Sequence, residues 1–101
     1  MEIHIRVLVY EPGQPGRVVD IPDRVEALQQ LVGGYFEVLV DVTVGIHIYV
    51  NEEGRPRGLP RNRRFGVHNI VGTAVFTRHD ENGETAGLSD DDVGVITALY
   101  G

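Results

Sequence analysis

Apolar residues recur at every second position in three separate stretches of this chain. "IHIRVLV", residues 3–9, sets Ile3, Ile5, Val7 and Val9 on one side and His4, Arg6 and Leu8 on the other. "FEVLVDVTV", residues 36–44, keeps Phe36, Val38, Val40, Val42 and Val44 in register, and "IHIYV" repeats the pattern after Gly45. Such a period belongs to extended backbone, whose successive side chains point to opposite faces. A strand cannot satisfy its own N–H and C=O groups, so these segments must pair into a sheet. "EPGQPG" then "RVVDI", residues 11–21, reads as a turn and a second strand, which makes the N-terminus a hairpin. Residues 36–50 form another strand pair, with its bend somewhere in Asp41–Gly45. "NIVGTAVF" supplies a further strand that continues to about Thr77, and "DENG" turns the chain after it.

Two segments change period. In "DRVEALQQLVGGY", Val25, Leu28, Leu31 and Val32 recur at helical spacing, with Asp20 or Asp23 placed to cap the start. Gly33 and Gly34 follow, and glycine takes the left-handed dihedrals that close a helix, so this helix should end near residue 32. In "LSDDDVGVITALYG", Ser89 and Asp92 have capping-box spacing and three acids meet the positive helix end. Val93, Ile96, Leu99 and Tyr100 should make its inner face. The expected fold is therefore α+β, a mainly antiparallel sheet of about five strands with two short helices covering one face, in the order β-β-α-β-β-β-α. At 101 residues the chain suits a single domain.

There is no cysteine, which removes disulfides, thiolate metal cages and cysteine nucleophiles. No stretch has the length of a membrane-spanning helix or the layout of a secretion signal, so a cytoplasmic protein is expected, with no membrane partner. The charge is unevenly spread. Net charge is −6, yet residues 55–64 carry five arginines and no acid, leaving four arginines against fifteen acids, −11, in the remainder.

"EALQQLVGGYFEV", "NEEGRPRGLPRNRR", "IVGTAVF" and the acidic "LSDDDV" helix start together resemble a family of small proteins of bacteria, phages and plasmids, domain of unknown function 3846. The family's motifs fall here on Glu26–Gln29, Val32–Tyr35 with Glu37, Asn51–Gly54, Leu59–Arg63 without its variable middle position, and Ile70–Thr73. The resemblance implies a small α+β domain and a mobile-element context, and carries no established reaction with it.

The arginine segment, "GRPRGLPRNRRF", has two prolines and two glycines, so a surface loop is expected in place of a helix. Arginine forks bind phosphates and carboxylates bidentately. Arg55, Arg57, Arg61, Asn62, Arg63 and Arg64 are thus the candidate ligand-binding residues, for a nucleotide or other small anion. Two bland readings stand beside this: the arginines balance nearby acids as surface ion pairs, and Asn62 supplies turn hydrogen bonds. An acidic chain of pI near 5.0 disfavours long duplex nucleic acid.

Catalysis finds less support. His4, His47, His68 and His79 lack metal-ligand spacing, although His4 and His47 become neighbours if their strands pair. Ser89, the only serine, suits a cap better than a nucleophile. The expectation is a binding or accessory protein that is not an enzyme and needs neither cofactor nor metal. The alternative is a protein–protein module, monomer or homodimer, acting through an exposed edge of "RVLVY" or "FEVLV".

Overall fold

A computed structural model describes residues 2–43 and 45–101. In chain order it contains strands His4–Tyr10 (β1) and Arg17–Pro22 (β2), helix Val25–Val32 (α1), and strands Phe36–Thr43 (β3) and Ile46–Asn51 (β4). Strands Arg61–Phe65 (β5), His68–Val71 (β6), Ala74–His79 (β7) and Thr85–Ala86 (β8) follow, and helix Asp90–Tyr100 (α2) comes last. The main sheet runs β2-β1-β7-β4-β3, with β8 added along β7, and every described ladder is antiparallel. β5 and β6 form a separate two-stranded ribbon.

The α+β class and the two helices are as the sequence indicates, but the strands among the described residues number eight instead of about five. Two expected units divide. "NIVGTAVF" is two strands in different sheets, parted at Gly72, whose φ of 75° turns the chain from the ribbon into the main sheet. The arginine segment is a loop only in its first half, for "RNRRF" is β5. β3 and β4 meet at Thr43 and Ile46, with an irregular register after Leu39. Val44, counted with the alternation of β3, lies outside the described residues.

The two helices do not share a face. Ile5, Val7 and Val9 of β1, Tyr49 of β4 and Val75 of β7 pack with Leu28 and Val32 of α1. The intervening residues Leu8, Tyr10, Ile48, Val50, Ala74 and Phe76 pack on the other side with Ile96 of α2 and with Phe65 and Ile70 of the ribbon. α1 thus covers one face, and α2 with the ribbon covers the other. This placement explains the unbroken apolar run Val7–Tyr10: a strand covered on both faces has no wet side to mark with polar residues. β1 is also an interior strand, so among the two proposed edges only β3 stands at the end of the sheet.

Local chemistry sets each helix. α2 begins with a complete capping box in which Ser89 Oγ accepts from Asp92 N at 3.0 Å and Asp92 Oδ2 accepts from Ser89 N at 3.0 Å. The Asp92 carboxylate also takes two hydrogen bonds from Arg78, at 2.7 and 2.6 Å. Those Arg78 hydrogen bonds hold its carboxyl down at a pKa of about 2. Leu99 does not join the inner face of α2 but stays exposed. α1 starts at Arg24 with no side-chain cap, so neither Asp20 nor Asp23 fills that role. Its end follows expectation: Gly33, at φ 81°, and Gly34 both donate to Gln29 O.

Candidate anion-binding site

The arginine segment begins at a buried side chain. Asn51, 5% exposed, closes β4 and binds in two directions: its amide donates to Val32 O at the end of α1, and its carbonyl accepts from Glu53 N at 2.8 Å. The first contact completes the helix end and the second makes an Asx turn, so one residue joins "VGGY" to "NEEG". Gly54 is required next because a Cβ there would lie 2.8 Å from Val71 Cγ2 and 3.3 Å from Asn51 O. That close approach seats the loop on the ribbon.

The six candidate residues then divide by what they touch. Arg57 reaches Gly33 O, another carbonyl at the end of α1. Asn62 donates to Tyr10 O and to Gly72 O, both at 2.8 Å, and accepts from Arg63 N, so it clamps the ribbon to the sheet. Arg63 donates to Tyr100 O and Gln14 O and lies 4.8 Å over the Tyr10 ring. These three hold the molecule together. Beneath Arg63, burial pushes the Tyr10 phenol above its usual range, opposed by the guanidinium, so Tyr10 remains a neutral donor to Gly101 O.

Arg55, Arg61 and Arg64 form the other set. Arg55 donates to Asn69 O at 2.7 Å, and its exposed guanidinium bridges the loop to β6. Arg61 and Arg64 are exposed, and no hydrogen bond or ion pair engages them among the described residues. β5 carries an extra residue against its partner: Arg61 faces Val71 and Arg64 faces Asn69, three steps on one strand for two on the other. In a regular strand, residues three apart would point to opposite faces. The bulge brings Arg61 and Arg64 round to one side, where with Arg55 they line a hollow of about 320 Å³ with Asn62, Asn69 and Ile70.

Ion pairs among the described residues join Arg6 to Asp90, Arg17 to Glu11, Arg24 to Glu2 and Arg78 to Asp92, and none draws on residues 55–64. The segment's own arginines turn to backbone carbonyls or to solvent.

A second hollow of about 410 Å³ adjoins the first and shares Arg55, Asn69, Ile70 and Val71 with it. Its remaining polar lining comes from Glu37, Glu52, Asn51 and His68, which the arginine count does not single out. One signal existed in the alternation of β3: Glu37 shares a face with Leu39, on the side of the ribbon. The histidines arrange differently from expectation as well. β1 pairs with β2 and β7, so His4 does not meet His47; instead His47 stacks on His79 of β7, centroids 3.6 Å apart. Among the described residues, no group of three His, Asp or Glu side chains is placed to hold a metal, and no helix is long and apolar enough to cross a membrane.

The geometry defines a class: an α+β protein whose sheet is covered on both faces and whose accessory ribbon carries a three-arginine hollow. Residues 5–101 match the model of the family described as domain of unknown function (DUF3846), and the chain belongs to that family. No curated protein and no solved structure matches it. Within the fold, the family's motif segments converge: Asn51 binds the carbonyl of Val32 at the start of "VGGY", while Pro60 O of "LPRNR" receives Gly72 N of "IVGT" at 2.7 Å.

Proposed function

We propose that this chain is a small cytoplasmic binding protein that captures a phosphate-bearing small molecule, of which a nucleotide is the leading case, on Arg55, Arg61 and Arg64. The observation that carries this reading is the β5 bulge. It turns two otherwise unengaged guanidinium groups to one side of a shaped hollow, although the chain has acids in excess to pair with them. Guanidinium forks bind phosphate oxygens in pairs, and a ribbon held by Asn62 presents them with little ordering left to do on binding. Arg57 and Arg63 support the site from outside it, while Asn62 lines the hollow and fastens the ribbon to the sheet.

The test is thermal melting with pyrophosphate, mono-, di- and cyclic nucleotides and short single-stranded DNA, at two salt concentrations. A ligand held only by the folded state at one hundred times its Kd adds about 2.7 kcal/mol of stability. The shift should weaken with salt and vanish in R61A/R64A, whose unliganded melting should match the parent because neither side chain has a partner to lose. A shift that persists in that variant removes these arginines from the site. Arg63 is left intact, since its loss would unfasten the ribbon.

The second reading, a module that pairs through its sheet edge, has one supporting observation. β3 ends the sheet, and Val40 on it is 61% exposed. Concentration-dependent size in gel filtration, abolished by V40K, would favour that reading.

A further inference from the structure

We infer that the two adjoining hollows form one bipartite site for a guanine-type nucleoside phosphate, with the phosphates among the arginines and the base in the acidic half. The inference rests on the anion site proposed above and names the ligand it takes.

Opposite charge in the two halves carries the argument. The basic half holds Arg55, Arg61 and Arg64, and the acidic half holds Glu37 and Glu52, with Arg55 and Asn69 shared between them. Glu37 and Glu52 are exposed at the rim, and neither carboxylate has a hydrogen bond or ion pair among the described residues. A plain anion would gain nothing from two carboxylates beside its site and would be repelled by them. A ligand that is anionic at one end and offers N–H donors at the other satisfies both halves. Beneath the carboxylates, Leu39, Val50 and Ile70 make an apolar floor, with Val50 and Ile70 buried. Such a floor favours a flat ring over an aliphatic ammonium. At about 410 Å³ the acidic half has the size of ordinary small-molecule pockets, roughly 300–1,000 Å³.

Among the common bases, guanine presents two adjacent donors on its Watson–Crick edge, the ring N1–H and the exocyclic amino group. A carboxylate has two oxygens and accepts both in parallel, as it accepts an arginine fork. Adenine sets an acceptor nitrogen beside its amino group, and that lone pair would face a carboxylate oxygen. Hypoxanthine keeps the ring N–H and lacks the amino group. The expected order is therefore guanine over hypoxanthine over adenine.

The experiment is calorimetric titration of the intact protein with pyrophosphate, GDP, IDP, ADP and an amino-sugar phosphate, repeated on E37Q, E52Q and R61A/R64A. All four side chains are exposed and unpartnered, so the variants should fold, and their melting temperatures check that they do. GDP should bind at least about tenfold more tightly than ADP, the scale set by one hydrogen bond to a charged group. E37Q or E52Q should erase that margin while pyrophosphate affinity holds or rises, and R61A/R64A should weaken every ligand together. Equal GDP and ADP affinities, tighter binding of the amino-sugar phosphate, or a guanine margin that survives both glutamine variants would overturn the bipartite site and leave the anion site standing. Pyrophosphate that does not bind, or binds R61A/R64A as well as the parent, would overturn the anion site and this inference with it.

Discussion

Asn51 makes the sharpest case at the scale of single residues. It is buried, its amide closes α1 and its carbonyl builds the turn into the arginine segment. Truncation to alanine leaves a buried carbonyl and an amide hydrogen without their partner. N51A should lower the unfolding free energy by about 1–3 kcal/mol in urea titration, the usual penalty for an orphaned buried polar group. Asn62 and Arg63 belong to the same structural class as Asn51, whereas Arg61 and Arg64 do not, although all five lie within fourteen positions of one another. Residue type alone does not separate them. What separates them is whether a carbonyl stands within reach, and that depends on where β1, α1 and α2 end.

At the scale of elements, α2 is held by one carboxylate with several duties. Asp92 closes the capping box and takes both hydrogen bonds from Arg78, and its folded pKa of about 2 lies below the ordinary 3.8. A depressed carboxyl stabilises the fold above the unfolded pKa and loses that contribution as pH falls through the folded one. Urea midpoints should therefore drop between about pH 4 and pH 2, and D92N should flatten that part of the profile while being less stable at pH 6. The sequence showed the span of α2 and its cap, because Ser89 and Asp92 act within one turn of helix, though it put Leu99 on the packed face where the helix leaves it exposed. It showed strands where alternation was clean. It hid β5, because the bulge breaks the period and arginine fills the outward positions, and it merged β6 with β7, because β-branched residues run through Gly72. Coverage of both faces was legible only in the run Val7–Tyr10, whose second apolar side implied a second layer. The candidate site was half legible: charge counting found its arginines but could not tell which of them the fold consumes, and it gave no weight to Glu37, which reaches the site through strand pairing.

For the molecule as a whole, the ribbon is joined to the sheet by aromatic packing. Phe65 is fully buried, with ring centroids 5.3 Å from Tyr10, 5.2 Å from Phe76 and 5.1 Å from Tyr100. These partners come from β1, β7 and α2, so one side chain on the ribbon touches three distant parts of the chain. F65A should cost about 3–5 kcal/mol, measured by chemical unfolding, and should weaken ligand binding by freeing the strand that carries Arg61 and Arg64. The position of β7 matters differently. It lies between β1 and β4, and it is the only described strand that joins the two hairpins β1–β2 and β3–β4. On the ribosome those hairpins emerge first and have no common neighbour until residues 74–79 follow. The nascent protein must carry two unjoined halves, each with open strand edges, until β7 has been made, and the arrival of that one segment decides when those edges are hidden.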